Sequence, residues 1–102
     1  MVTLTRQASA LAAFGTRLRA ARLERGDTMS VFAQRIGASE STLRAMEKGL
    51  PTVQAGFWIE ALWVLDRLDE LDPVLAARTG VLDQARAAVR PRQRAPRRPR
   101  ER

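Results

Sequence analysis

The sequence of 102 residues contains neither cysteine nor histidine. Their absence excludes a disulfide, a Cys/His zinc site, a thiol nucleophile and a histidine base. No visible pairing of acidic residues supports carboxylate chemistry either, so we expect no cofactor, no metal and no enzymatic activity. No apolar run approaches the roughly 20 residues that span a bilayer, and the apolar stretch from Ala10 to Phe14 is too short for a signal peptide. We therefore expect a cytoplasmic protein that does not span a membrane.

The net charge of +7 is confined to the C-terminal end of the chain. Residues 1–85 contain ten basic and ten acidic residues, whereas residues 86–102 contain eight arginines and one acid. The last part of the chain is almost entirely Arg, Pro and Ala, which cannot bury enough apolar surface to offset the entropy of ordering. We therefore predict a domain over residues 1–83 and a flexible, disordered basic tail over residues 84–102.

Apolar residues recur at spacings of three and four throughout the predicted domain and never alternate over a sustained stretch. This periodicity is typical of α-helices, and we predict an all-α domain of five helices. Capping residues and helix-stopping glycines indicate where the helices begin and end. The predicted limits are Ser9 to about Arg25, Thr28 to Gly37, Ser39 to Gly49, about Val53 to Asp66, and about Leu68 to Arg78. For the fifth helix Asp72-Pro73 is an alternative start, because proline suits the first turn of a helix.

The second and third predicted helices are joined by a link of about three residues, Gly37-Ala38-Ser39. Glycine permits a left-handed turn there, alanine points inward and serine caps the following helix, so the chain must turn sharply. This helix-turn-helix pattern resembles the Xre family, which includes the phage Cro and repressor proteins, over about residues 14–71. The resemblance implies a lambda-repressor-like fold and binding to double-stranded DNA, with the third helix in the major groove.

The same resemblance implies which side chains contact DNA. Arg44 is the strongest candidate for a base contact, because its fork can bind guanine O6 and N7 and contribute about 1–3 kcal/mol of discrimination. The positions that point to bases in the family are occupied here by Glu40, Ser41, Arg44 and Ala45. Phosphate contacts are expected from Thr28, Arg35, Ser39, Thr42 and Lys48, together with free amides at helix N-termini.

Three residues depart from the family pattern. Met29 stands where a glutamine usually binds a phosphate, and Asp27 stands where an apolar residue is common. Glu40 either accepts a hydrogen bond from cytosine N4 or opposes binding by repelling the phosphodiester strands. These departures leave open the alternative that the helix-turn-helix is mainly a scaffold.

Arg22 and Glu47 stand where the family has an arginine and a glutamate that pair across the fold. The resemblance therefore implies a structural ion pair, and the alternative is two unrelated surface charges. A partly buried pair would say more about the register of the helices than about net stability.

The fourth predicted helix has no polar face, since nine of the eleven residues from Ala55 to Leu65 are apolar. Its two apolar faces are Trp58, Leu62 and Leu65 on one side, and Ile59 and Trp63 on the other. We expect one face to pack on the first three helices. The other, with Leu68, is either the interface of an isologous homodimer or of another partner, or it is covered within one chain by the fifth helix and residues 81–89.

A closer resemblance is to the HipB-like antitoxins, small Xre-type proteins encoded beside HipA-like kinases. It is carried by the chain length, the Arg-rich end and two runs, Phe14-Gly15-Thr16-Arg17-Leu18-Arg19-Ala20-Ala21-Arg22 and Asp69-Glu70-Leu71-Asp72. It implies a dimeric autorepressor that binds an inverted-repeat operator and also binds a HipA-like kinase toxin. A stand-alone phage-type repressor shares most of these features. A protein-interaction inhibitor or adaptor is the alternative from another class, and the tail could then bind acidic protein instead of DNA or stay solvated.

Overall fold

The computed structural model of the chain describes residues 5–78. Within this range the chain forms four α-helices and no strand: α1 is Arg6–Arg25, α2 is Met29–Ile36, α3 is Glu40–Lys48 and α4 is Ala55–Val64. A single 3₁₀ turn, Leu68–Leu71, follows α4. The prediction of an all-α domain is confirmed. The predicted disordered tail, the boundary after residue 83 and the cover by residues 81–89 lie outside the described residues.

The prediction of a fifth helix is wrong, because the segment after α4 forms only the 3₁₀ turn. The backbone N–H of Asp72 donates to the carbonyl of Asp69 at 3.0 Å, which is the spacing of a 3₁₀ turn. Pro73 has no N–H that could donate to the same carbonyl in an α-helical turn. The helical structure therefore ends here and does not continue to Arg78.

The ends of two helices also differ from the prediction. Ser9 does not cap α1; Thr5 does, because its Oγ1 accepts a hydrogen bond from the N–H of Ala8 at 3.0 Å. The N–H of Ser9 donates to the carbonyl of Thr5 at 2.9 Å, which places Ser9 inside the first turn. α4 is two residues shorter at each end than predicted, and Asp66 beyond it has a left-handed backbone with φ of 59°.

The chain divides into two units, the first ending at Asp72 and the second beginning at Pro73. All four α-helices belong to the first unit. Of the second unit the structure describes residues 73–78, where the N–H of Ala76 donates to the carbonyl of Pro73 at 3.2 Å. No helix between residues 5 and 78 is long and apolar enough to cross a membrane. The same range contains no group of three or more acidic side chains that could hold a metal ion.

The hydrophobic core of the first unit is centred on α2 and α3. Phe32 of α2 and the α3 residues Leu43 and Met46 are completely buried. Around them lie the buried side chains of Leu18, Ala33, Ile36 and Ala61. Since α3 packs on both α1 and α2, its inner side is enclosed by the core and its position depends on both neighbours.

α1 and α3 approach each other at two glycines. A Cβ atom at Gly15 would lie 2.5 Å from the carbonyl oxygen of Met46 and 2.6 Å from that of Glu47. A Cβ atom at Gly49, which follows α3, would lie 2.6 Å from the Cα atom of Ala12. These distances are far below van der Waals contact, so the last turn of α3 can lie directly on α1 only because both residues lack a side chain.

Candidate nucleic-acid interface

α3 follows α2 through a tight corner. Gly37 ends α2 with φ of 74°, and the N–H of Ala38 donates to the carbonyl of Ala33 at 2.9 Å. Ser39 then caps α3, as its spacing predicts, by accepting a hydrogen bond from the N–H of Thr42 at 3.0 Å. Because the inner side of α3 is also buried, the corner and the core together fix the direction in which α3 projects.

The outer side of α3 is accessible. Among the predicted base-contacting residues, Glu40, Ser41 and Arg44 are exposed and Ala45 is partly buried. Lys48, predicted to contact phosphate, is exposed in the last turn of the same helix. The structure therefore brings three of the four predicted base contacts and one predicted phosphate contact together on a single accessible helix.

Two of the exposed side chains on α3 are paired with each other. Arg44 donates from Nη2 to Oε1 of Glu40 at 3.3 Å, and the two side chains are 55% and 45% exposed. Their spacing of four residues makes them neighbours on the helix surface, with the acid nearer the N-terminus, which is the favourable orientation. Arg44 is therefore held beside a carboxylate on the surface proposed to meet DNA.

The two capping hydroxyls predicted to contact phosphate differ in whether the hydroxyl proton is already donated within the protein. Thr28 Oγ1 accepts from the N–H of Val31 at 3.1 Å, which uses a lone pair and leaves the hydroxyl proton for another acceptor. Ser39 Oγ also donates its proton to Oγ1 of Thr42 at 3.0 Å. Of these two caps, Thr28 is therefore the one with a hydroxyl proton ready for a phosphate oxygen.

Arg35, the remaining predicted phosphate contact, lies beside a carboxylate. Its Nε is 3.4 Å from Oδ2 of Asp27, and the same oxygen accepts from Nε of Arg25 at 3.0 Å. Arg25 also donates to the carbonyl of Val64 at the end of α4, at 3.0 Å. Asp27, noted in the sequence only as a departure from the family, thus joins two arginines on α1 and α2, a role that sequence reasoning missed.

Arg22 and Glu47 form a two-bond ion pair between α1 and α3. Nε of Arg22 lies 2.6 Å from Oε2 of Glu47 and Nη2 lies 3.1 Å from Oε1, and the side chains are 7% and 5% exposed. The third nitrogen, Nη1, donates to the carbonyl of Asp27 at 3.0 Å. The hydrogen bond with Glu47 raises the pKa of Arg22 despite burial, so the guanidinium stays charged. This arginine links α1, the start of α2 and the end of α3.

The two sides of α4 have different surroundings. On the inner side the ring of Trp58 stacks on that of Phe14, with centroids 3.9 Å apart. On the outer side Ile59, Trp63 and Leu68 are 40%, 65% and 38% exposed. Together with Glu60 they line one open cleft of about 380 Å³. The three apolar residues are the predicted dimer or partner interface. We call them the Trp63 face.

A comparison with protein families agrees with this geometry. The family model described as a helix-turn-helix domain matches residues 13–75, which include all four α-helices except the first part of α1. A search of curated proteins returned no match to the chain. The match identifies the type of domain and does not identify a DNA sequence or a partner.

Proposed function

Because the chain belongs to the helix-turn-helix domain family, we propose that it is a sequence-specific DNA-binding regulator that represses transcription by occupying its operator. The observation that carries the proposal is the accessible outer side of α3, with Glu40, Ser41 and Arg44 exposed on a helix whose inner side is buried. A helix held this way can enter a major groove without losing core contacts. We further propose a cytoplasmic location, because the DNA that such a regulator binds lies there.

In this proposal base readout and positioning are divided between two sets of residues. Arg44 donates two hydrogen bonds to guanine O6 and N7, Ser41 forms a hydrogen bond with a base or a phosphate, and Ala45 contacts a thymine methyl. The phosphate contacts position the domain on the duplex without reading its sequence. They come from the N-terminal amides of α2 and α3 and from Thr28, Arg35, Ser39, Thr42 and Lys48. Of these, Ser39 must first exchange its hydrogen bond to Thr42 for one to phosphate.

The Arg44→Ala variant tests base readout. We expect its Kd for the operator to rise by roughly 5- to 150-fold for each half-site contacted, which corresponds to about 1–3 kcal/mol for each lost bidentate contact. The preference for guanine should relax at one base pair in each half-site. The measurement is fluorescence anisotropy with a duplex selected from a random pool and with single-base variants of that duplex.

Arg19→Ala is the matched control, since Arg19 is an exposed arginine of α1 and its loss removes the same charge from a helix other than α3. The prediction that Arg44 reads a base is wrong if the two variants weaken binding equally. It is also wrong if Arg44→Ala raises the Kd by the same factor for every DNA sequence. Loss of all DNA binding on removal of residues 86–102, with no effect of Arg44→Ala, would mean that binding to a specific operator is wrong, and the protein-interaction adaptor would then be the remaining alternative. The exposed Trp63 is the observation that favours that second function.

The regulator is proposed to act as an isologous homodimer through the Trp63 face. An exposed tryptophan beside two exposed aliphatic side chains is the kind of surface that proteins cover with a partner. A two-fold axis would give two copies of α3, and half-sites about 34 Å apart would place them in successive major grooves. An inverted-repeat operator follows from that symmetry.

The Trp63→Ala variant is expected to be monomeric. Truncating a buried interface tryptophan removes a contact worth at least about 2 kcal/mol, so the mass from light scattering should fall from two chains to one. The affinity for a full inverted repeat should fall toward that for a half-site. Leu23→Ala is the control, because Leu23 is 50% exposed on α1 and outside the Trp63 face, and it should leave the mass unchanged. A wild-type protein that is monomeric while bound to one full operator contradicts the dimer.

The resemblance of residues 14–22 and 69–72 to the HipB-like antitoxins extends the proposal to an antitoxin that represses its own operon and binds a HipA-like kinase toxin. A kinase reading frame beside the gene, and co-purification of that kinase with the protein, would support this role. A regulator with neither is the stand-alone phage-type repressor.

A further inference from the structure

Glu40 occupies the first position of α3, where a negative charge is unfavourable for a surface that meets phosphates. It is not isolated, because Arg44 donates to it at 3.3 Å across one helical turn. The contact uses one N–H of a guanidinium that has five. Arg44 can therefore keep this bond and still present a fork of two parallel N–H groups to a base.

Resting on the proposed function, we propose that Glu40 sets the specificity of the interface through Arg44: it suppresses binding to DNA of arbitrary sequence and leaves the guanine contact in place. Glu40 is thus a positioning and charge-compensating residue, and Arg44 is the residue that reads the base.

The argument follows from how the two kinds of contact depend on charge. Attraction to phosphate depends on net charge and on the release of counterions, and a paired arginine and glutamate carry no net charge. Guanine O6 and N7 are neutral acceptors that are recognised by the direction of two N–H groups. Neutralising Arg44 therefore weakens phosphate binding more than base readout.

A bond to Glu40 also restricts the side chain of Arg44. A free arginine on a helix has many rotamers, and ordering them opposes binding. The pair already holds the guanidinium over the outer side of α3, so part of that ordering precedes DNA binding. Arg35 of α2 lies beside Asp27 in the same way, so both predicted DNA-contacting arginines lie next to carboxylates.

The test is Glu40→Gln in the full chain, with Kd measured across a range of salt for the selected operator and for a random duplex. We expect the Kd for the random duplex to fall about tenfold, while the Kd for the operator changes less than about threefold. The log–log salt dependence on the random duplex should steepen by about 0.9 for each bound copy of the chain, the contribution of one new phosphate contact per copy. In the Arg44→Ala background the same change should leave that slope unaltered, because no arginine is released.

Three results would overturn the inference. An equal fall of both Kd values means that Glu40 only repels DNA. A rise of the operator Kd with the random duplex unaffected means that Glu40 reads a base itself. No change in either means that the pair has no role in binding. Glu24→Gln, which removes one exposed acid from α1, is the control and should leave the ratio of the two Kd values unchanged.

The failure of this inference can be separated from that of the proposed function. A wild-type chain that binds every duplex equally disproves sequence-specific regulation and removes the basis of the inference as well. A wild-type chain that prefers one operator, combined with any of the three results above, disproves only the role of Glu40. Circular dichroism of each variant confirms that the exposed substitution leaves the helices intact.

Discussion

Gly15→Ala is expected to lower the free energy of unfolding by about 2–3 kcal/mol, the upper part of the range for overpacked sites. The added methyl group would lie 2.5 Å from the carbonyl oxygen of Met46 and 2.6 Å from that of Glu47. Both atoms belong to the backbone of α3, so no side-chain rotation can relieve the clash. The two helices must separate, which would also loosen the end of the helix that is proposed to enter DNA.

The size and the sign of this effect distinguish packing from helix propensity. On propensity alone, alanine in place of glycine inside a helix stabilises by about 1 kcal/mol. Gly56→Ala in α4 is the matched control, because a Cβ atom there has no neighbour within 4 Å, and it should be neutral or stabilising by up to about 1 kcal/mol. Urea denaturation followed by helical circular dichroism measures both variants. A Gly15→Ala protein as stable as wild type would show that α1 and α3 are not in backbone contact.

The contrast between these glycines shows which parts of the fold could be predicted from the sequence. Thr28, Gly37 and Ser39 act within three or four residues of their own position, and the corner they form follows from local chemistry. Gly15 acts on a helix that lies some thirty residues further along the chain. No local sequence pattern distinguishes Gly15 from a glycine that only lowers the helix propensity of its segment.

The errors in the predicted helices have local causes of a different kind. Thr5 and Ser9 are both good capping residues, and the apolar periodicity that follows is compatible with either start. After α4, charged residues and two leucines gave a helical pattern, but Pro73 cannot supply the N–H that would extend the first turn. The choice between two capping residues therefore decided where α1 begins, and the missing N–H of Pro73 decided that no fifth helix forms.

The candidate site could be predicted in part. The spacing of Glu40 and Arg44 is visible in the sequence as an acid four residues before a base, and it would have indicated their pairing. The link from Asp27 to Arg25 and Arg35 depends on how α1 meets α2 and has no such signal. The sequence thus indicates which side chains of α3 face outward and which two of them pair, whereas the contacts of Asp27 with Arg25 and Arg35 required the three-dimensional arrangement.

Arg22→Met is expected to lower the free energy of unfolding by about 3–5 kcal/mol, the range for removing one partner of a buried ion pair. Methionine retains much of the apolar stem, so the loss arises from the charge and not from packing. The carboxylate of Glu47, only 5% exposed, would lose two hydrogen bonds, and the carbonyl of Asp27 would lose one. Arg67→Met, which breaks the half-exposed pair with Glu70, is the control and should cause no measurable change.

The double variant Arg22→Met/Glu47→Leu separates the contribution of the pair to the free energy of unfolding from its effect on the position of α3. Replacing both charges by apolar side chains of similar size should recover most of the lost stability, because no buried charge is left unpaired. If the pair also fixes the position of α3, the refolded double variant should still bind the operator more weakly than wild type. A single Arg22→Met variant within about 1 kcal/mol of wild type would contradict the burial of this pair. A double variant with full stability and full operator affinity would show that the two charges only compensate each other and do not position α3.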